Sequence, residues 1–284
     1  MQYYESPITY MGSKRRLLPQ LLSLFPKNID TFYDLFTGSG TVSFNVKANK
    51  IISNDKDETT YKILSFFKNN DLDKLGYEVL QFLELYHLEG KDKEKQYYKL
   101  RDFYNKSTNK SIFILYILTV YSFSSLARFN SKGEFNMPFG NRDFSVNKFN
   151  NIRNLREVIS NIKFCNQDFS CFEDFKKDDF VYLDPPYLLT EANYNDNWTD
   201  EDDLRLFKYL DKLDKQGIKW GMSNVFQSKG NINSKLIEWS KKYNVTHLNY
   251  HYKTTSGLYK SQGQDNVTDE VFICNYQTKK NTLF

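Results

Sequence analysis

Cysteine is scarce. Cys165, Cys171 and Cys274 are the only three in 284 residues, they show no paired metal-ligand spacing, and His87, His247 and His251 do not complete one. No metal is expected, and an odd, sparse cysteine content fits a reducing compartment rather than a disulfide framework. Long apolar runs are missing too. The longest, residues 112–120, falls far below the ~18 residues that suggest a spanning helix, so it reads as a buried helix and no membrane partner is expected. The residues around Glu5 lack the apolar stretch of a signal peptide, and the expected location is the cytoplasm. Neither sign of charge dominates: 39 Lys and Arg against 35 Asp and Glu leave a net +4, which allows a basic groove without requiring one.

Aromatic residues, by contrast, are abundant. With 24 Phe and 21 Tyr the chain can fill a core and keep some rings for base stacking. Its length suits one large domain or a domain with a sizeable insertion. Residues 31–36 read as a strand that turns through Thr37-Gly38-Ser39-Gly40-Thr41 into a helix expected from Val42, and residues 51–55 read as a second strand. From 58 to 161 the pattern changes to helices, at 61–67, 75–85, 97–104 and 112–121, with no strand–helix alternation. The sheet resumes at 163–168 and 180–183, with further strands at 219–223, 246–252 and 270–276. The expected fold class is α/β: a Rossmann-like sheet made by 1–57 and 162–284, interrupted by a mainly helical insertion at 58–161.

Asp34, Asp55, Asp168 and Asp184 sit at expected strand ends. In an open α/β sheet those ends form the ligand crevice, although a lone strand-end Asp is commonly a turn residue or helix cap. The glycine turn lacks the third glycine of a dinucleotide fingerprint, and Asp34 in front of it repels a pyrophosphate and attracts an ammonium. An acid at the second strand end commonly grips ribose hydroxyls. The implied ligand has a ribose, a positive group and no pyrophosphate. Residues 6–16 form a glycine-containing loop with cations, suited to an anion or simply the basic start of a helix at 17–25.

After residues 180–183 comes Asp184-Pro185-Pro186-Tyr187. Each proline fixes φ and lacks an N–H, so nearby carbonyls are left outside the sheet ladder. Asp184 and the Pro185 carbonyl can accept the two hydrogens of an exocyclic amine while Tyr187 stacks on its ring. Alone, the stretch is also readable as a strand ending in a proline turn. Within the insertion, residues 128–142 are rich in Asn, Arg, Gly and aromatics, the side chains that read base edges, contact phosphates and wedge between bases. The same composition also makes an ordinary hairpin. Residues 254–269, polar and glycine-containing, read as a mobile loop.

Taken in order, several stretches carry a resemblance: Tyr10-Met11-Gly12-Ser13-Lys14-Arg15, Asp34-Leu35-Phe36-Thr37-Gly38-Ser39-Gly40, Asn54-Asp55, Gly133-Glu134-Phe135-Asn136-Met137-Pro138-Phe139-Gly140, Asp184-Pro185-Pro186-Tyr187 and Ser223-Asn224. The chain resembles the Dam-type, D12 class DNA adenine-N6 methyltransferases, which place the cofactor loop before the recognition domain and D-P-P-Y after it. It departs at the start, where the family usually has an aromatic-Ala-Gly-Gly-Lys run. The resemblance implies methyl transfer from S-adenosylmethionine to N6 of an adenine flipped out of duplex DNA at a specific site, GATC being the family-level expectation. Tyr10 and Lys14 would line the cofactor pocket, Asp34 and Gly38 its methionine end, Asp55 the ribose hydroxyls, and Asp168 with Phe169 the adenine. Phe36, Gly40 and Asp184 join this cofactor set. Asp184, Pro185, Pro186 and Tyr187 would be catalytic. Arg128, Asn130, Lys132, Asn136, Pro138 and Arg142 would contact DNA.

The expected partners are double-stranded DNA and, within a restriction–modification system, an endonuclease acting on the same site; the expected state is a monomer. A cytosine-C5 enzyme would need a Pro-Cys nucleophile, and no cysteine here follows a proline. Cytosine-N4 enzymes more often carry Ser at the position of Asp184, and protein-glutamine enzymes Asn. Methylation of RNA or of a protein amide, and a DNA-binding protein without turnover, are the remaining alternatives.

Overall fold

A computed structural model describes residues 3–9, 12–188, 198–248 and 268–278. The chain divides into two compact units. The first comprises Met1–Ser13, Gly38–Asn45 and Asp55–Asn166; the second comprises Lys14–Thr37, Val46–Asn54 and Gln167–Phe284.

The second unit begins with a 3-10 turn, Lys14–Arg16, that leads into α1 (Leu18–Leu24), with Pro19 in the first helical turn where a missing N–H costs nothing. β1 (Thr31–Asp34) and β2 (Lys50–Asn54) follow. Between them, in residues of the first unit, the helix expected from Val42 is replaced by turns. Gly40 takes φ 79° with the Phe44 ring folded beneath it, 2.7 Å from where a Cβ would stand. The Asn45 amide is bound to the carbonyls of Thr41 and Tyr4, 2.9 Å each. These bonds hold the chain in a compact reversal, so the helix does not propagate.

The first unit is mainly helical: α2 (Glu58–Lys68), α3 (Leu72–Leu85), α4 (Lys93–Lys106), α5 (Ile112–Tyr121), α6 (Val146–Asn154) and α7 (Arg156–Ile159), then the short strand β3 (Ile162–Cys165). Side chains of Asp57, Asp71, Ser111 and Ser145 accept N–H groups of the first turns of α2, α3, α5 and α6, which satisfies donors the helices leave open. α5 is buried without a break from Leu115 to Tyr121, as its unbroken apolar run required. α6 shows little periodicity because Ile152 is its one buried residue.

The second unit continues with β4 (Phe180–Leu183), α8 (Asp200–Lys215), β5 (Lys219–Ser228), β6 (Asn231–Ile232), α9 (Ser234–Ser240), β7 (Asn244–Leu248) and β8 (Asp269–Cys274). A capping box of Thr199 and Asp202 starts α8. The expected strand at 246–252 is described only as far as Leu248. The loop expected at 254–269 lies outside the described residues up to 267. Within this unit the sheet order is β2-β1-β4-β5-β8-β7, with β6 on β5. Strands β2, β1, β4 and β5 run parallel, and β8 runs antiparallel to β5 and β7. Among the described residues, no helix is long and apolar enough to cross a membrane.

Each face of this sheet has its own core. Leu35, Val181, Leu183, Trp220, Met222 and Ile273 pack with Leu206, Leu210, Leu213 and Leu236 of α8 and α9. On the opposite face, Phe25 at the end of α1 lies 4.9–5.9 Å, ring centre to ring centre, from Phe32, Phe180, Tyr182 and Phe272. A fully buried ring of this kind contributes roughly 1.5–3 kcal/mol. Pairing register sets Asp34, Tyr182, Gly221 and Cys274 in one row across β1, β4, β5 and β8. Counting by twos along each strand adds Phe32, Asp184, Ser223, Val225, Phe272 and Glu270 to that same face.

Candidate active site

In the second unit, acids gather where the parallel strands end. Asp34 is the last residue of β1 and only 1% exposed, and Asp184 directly follows β4. Pro185 is buried, so the ledge it begins is anchored in the core. Lys14 approaches from the face carrying α1. It is 6% exposed, and its Nζ lies 2.8 Å from Asp184 Oδ2. The Tyr187 hydroxyl donates to the other oxygen, Oδ1, at 2.7 Å, and the Lys14 ammonium stands 5.0 Å from the centre of the Tyr187 ring.

Lys14, Asp184 and Tyr187 therefore form one cluster. Burial, reinforced by the charges of Asp184 and Glu270, holds the Tyr187 hydroxyl well above the usual tyrosine pKa, so it remains a donor at neutral pH. Beside it Tyr182, fully buried, shares a 2.7 Å hydrogen bond with Ser223. In the Ser223-Asn224 pair, the Asn224 oxygen accepts the Val225 N–H at 2.7 Å. Tyr10, expected to line the cofactor pocket, lies outside the described residues.

A second group in this unit surrounds Asp168. The residue stands beyond β3 rather than at its end, and it caps the 3-10 turn Phe169–Cys171. Its Oδ1 accepts from the Ser170 N–H at 3.0 Å and hydroxyl at 2.6 Å, and Arg205 binds both oxygens at 3.0–3.3 Å. Burial pulls its pKa up, but Ser170 and Arg205 outweigh this and leave the carboxyl below its ordinary value. Phe169, 3% exposed, packs among Phe36, Trp198 and Tyr209, with the Arg205 guanidinium 4.7 Å from its ring centre.

In the first unit, Asp55 closes onto the glycine turn. Gly38, at φ 50°, donates its N–H to Asp55 Oδ2 at 2.7 Å, and the Asp57 N–H reaches Oδ1 at 2.9 Å. Burial lifts the Asp55 pKa to about 6 against the pull of those two bonds. The Gly38 amide is thus committed to a carboxylate, which fits a ligand without a pyrophosphate.

The stretch from Arg128 to Arg142 is a hairpin reduced to single bridges, Phe129 to Phe135 and Ser122 to Phe139. Asn130 shapes its tip: Oδ1 accepts the N–H groups of Lys132 and Glu134 at 3.0 Å, and Nδ2 donates to the Glu134 carboxylate at 2.8 Å. Arg128 Nε donates to Asn136 Oδ1 at 3.0 Å. Asn105 of α4 holds the strand at Phe135 by bonding both its N–H and carbonyl, and Tyr97 holds the Met137 carbonyl. Arg128, Lys132, Pro138 and Arg142 are exposed, whereas Asn130 and Asn136 are half-buried.

Several residues in these sites were not foreseen from the sequence. Arg205 gives no local signal on an amphipathic helix. Glu270 does: it is an acid entering the apolar run of β8, half-buried, with burial raising its pKa against the attraction of Lys14.

The family model described as D12 class N6 adenine-specific DNA methyltransferase matches residues 10–268. Among curated relatives, modification methylase StsI of Streptococcus sanguinis is 37% identical over 98% of this chain and 44% of its own length. Type II methyltransferase M.FokI of Planomicrobium okeanokoites is 36% identical over 96% of this chain and 43% of its own length. The chain thus spans less than half of those two proteins. Type II methyltransferase M.MjaIII of Methanocaldococcus jannaschii is 30% identical over 77% of this chain and 83% of its own length.

Proposed function

The chain belongs to the D12 class of N6 adenine-specific DNA methyltransferases, and from that premise we propose that it methylates N6 of an adenine flipped out of duplex DNA at a specific sequence, with S-adenosylmethionine as donor. The observation that carries the proposal is Asp184, a carboxylate on a proline ledge with each oxygen engaged by a separate donor, Tyr187 and Lys14. An N–H of an exocyclic amine is a further donor suited to this carboxylate. Extruding the base costs a few kcal/mol, and a ledge of this kind recovers it through stacking and hydrogen bonds.

Asp184 and the Pro185 carbonyl accept the N6 hydrogens and Tyr187 stacks on the ring. The adenine amine is a poor nucleophile because its lone pair is delocalised; two acceptors on its hydrogens favour a more tetrahedral nitrogen. Positioning and electrostatics carry the acceleration. S-Adenosylmethionine, when bound, supplies an electrophilic methyl group on a sulfonium. Lys14 and Tyr10 line its pocket, Asp34 with Phe36, Gly38 and Gly40 serves its methionine end, Asp55 its ribose hydroxyls, and Asp168 with Phe169 its adenine.

Residues 58–161 carry target recognition through Arg128, Lys132, Asn136, Pro138 and Arg142, with Asn130 holding the hairpin tip. The protein works as a cytoplasmic monomer alongside an endonuclease of the same specificity. Incubating it with labelled S-adenosylmethionine and duplex DNA, then mapping modified adenines, is expected to give N6-methyladenine within one short sequence. Unlabelled DNA would overturn the proposal. Asn136→Ala is expected to redistribute methylation among related sites, and an unchanged map would remove Asn136 from the reading role.

Asp55 makes binding pH-dependent. Its ionised form is the better acceptor for two hydroxyls, and with a pKa of about 6 that form prevails above pH 7 and is lost as the pH falls through 6. Titration calorimetry is expected to show the S-adenosylmethionine Kd rising about tenfold from pH 7 to pH 5. Asp55→Asn should bind more weakly at pH 7 and show a flat profile over the same range.

A further inference from the structure

The returning arm of the hairpin, residues 134–140, is hydrogen-bonded along its two edges by different means. Its even-numbered residues use backbone. The Asn130 N–H reaches the Glu134 carbonyl at 2.9 Å and the Asn136 N–H the Arg128 carbonyl at 3.0 Å, while the Phe123 N–H reaches the Pro138 carbonyl at 2.9 Å and the Gly140 N–H the Tyr121 carbonyl at 2.8 Å. Its odd-numbered residues use side chains of α4. Asn105 Oδ1 accepts the Phe135 N–H at 2.8 Å, and its Nδ2 donates to the Phe135 carbonyl at 3.0 Å. The Tyr97 hydroxyl and Arg101 Nη1 donate to the Met137 carbonyl at 2.9 and 3.2 Å, and the Tyr98 hydroxyl accepts the Phe139 N–H at 3.4 Å. Arg101 and Tyr98 also brace each other, with the guanidinium 4.7 Å from the ring centre.

A helix can pair with an extended arm because their repeats nearly agree. Four helical residues rise about 6 Å and two extended residues advance about 6.7 Å, so Asn105, Arg101 and the neighbours Tyr97 and Tyr98 meet Phe135, Met137 and Phe139 in step. Facing follows from register. Phe135 and Met137 are 1% and 4% exposed, whereas Pro138 is exposed and Asn136 half-buried, and a slip of one residue would exchange the two sets. At Pro138 and Gly140 the backbone bonds tie the arm to Phe123 and to the end of α5, but at Glu134 and Asn136 they reach the other arm of the same hairpin. Among the described residues, Asn105 is therefore the hydrogen-bonded link between the tip half of this arm and a helix. We infer that α4 serves as a third strand of the hairpin and that Asn105 is a positioning residue for target selection, holding Phe135 by both backbone groups so that Asn136 and Pro138 face outward.

The inference rests on residues 128–142 being the element that reads DNA, and its test needs no turnover. Selection from a random pool gives the duplex the wild type prefers, and fluorescence anisotropy compares its affinity with that for the same duplex carrying one replaced base pair. Asn105→Ala is expected to lower this affinity ratio about tenfold or more, with the S-adenosylmethionine Kd within about twofold. A partly unfolded preparation weakens both duplexes alike and leaves the ratio unchanged, so the ratio separates positioning from stability. Tyr97→Phe keeps the buried ring, removes one of two donors to the Met137 carbonyl, and is expected to lower the ratio about threefold. A wild-type ratio for Asn105→Ala, or for Tyr97→Phe should the Asn105 variant not fold, overturns the inference. Amide exchange tests the clamp without DNA: the Phe135 N–H is expected to exchange at least about tenfold faster in Asn105→Ala, and an unchanged rate also overturns it. If Asn136→Ala keeps the wild-type ratio as well, the failure lies in assigning target reading to residues 128–142. A protein that selects a sequence but leaves it unmethylated counts against the adenine-methylation reading alone.

Discussion

Asp184→Ala is expected to lower the single-turnover methylation rate by about 1,000-fold or more. The size follows from what the side chain does. Removing one preorganised group aimed at a reacting centre typically costs ~100- to 1,000-fold, and in the proposed mechanism the same carboxylate also orients the amine, so misplacement adds to the loss. The Pro185 carbonyl is left to hold the nitrogen alone. Some loss of stability is expected to accompany it, because the buried Lys14 ammonium loses its 2.8 Å partner. Asp184→Asn is the sharper comparison. Its amide nearly preserves the shape but keeps one neutral acceptor oxygen and sets an NH2 against either the Lys14 ammonium or the Tyr187 hydroxyl, so it should fall within about tenfold of the Ala variant. Quench-flow incorporation of labelled methyl groups measures both. An Ala variant within tenfold of wild type would show that another group holds the amine.

Gly140→Ala should separate DNA recognition from cofactor binding. A Cβ at this position would stand 2.3 Å from the Ser122 carbonyl oxygen and 2.6 Å from its carbon, and backbone atoms cannot rotate away as a side chain can. The contact is close because Gly140 donates its N–H to the Tyr121 carbonyl at 2.8 Å while the Phe123 N–H reaches the Pro138 carbonyl at 2.9 Å. These bonds clamp the base of the hairpin to the end of α5. The clamp already holds strained backbone, with Ser124, Ser125 and Asn141 at φ 56°, 54° and 46°. An extra methyl must push the two segments apart, at roughly 2–4 kcal/mol. The exposed Arg128, Lys132 and Arg142 then lose their shared register. Affinity for cognate duplex is expected to drop about 100-fold, with S-adenosylmethionine affinity within about twofold; fluorescence anisotropy and calorimetry report the two. Wild-type DNA affinity would mean that the hairpin can shift without consequence.

Much of the sheet was visible in short apolar runs, because strands buried on two faces need apolar side chains at nearly every position. β4 is the plainest case, with all four residues buried. The failures have local causes as well. The helix expected from Val42 gives way to turns bound through Asn45 and Gly40, and Asp168 caps a 3-10 turn instead of closing a strand. α6 went unnoticed because a helix with one buried residue has no periodicity to read.

The candidate site divides in the same way. Linear order alone suffices for the α/β class, the D-P-P-Y ledge, the acids that follow the strands and the family, because these depend on short spacings and on the sequence of motifs along the chain. Nothing in that order says what occupies Asp184. Its two partners, Lys14 from the turn before α1 and Tyr187 from the far end of its own ledge, are set by packing across the sheet face. That Glu270 shares the sheet face of Asp34 and Ser223 depends on β8 lying antiparallel beside β5, a pairing between distant segments that no local periodicity encodes. The ledge is therefore an acceptor platform whose carboxylate is already tied to a buried ammonium and a tyrosine hydroxyl, because folding brings Lys14 and Tyr187 onto it.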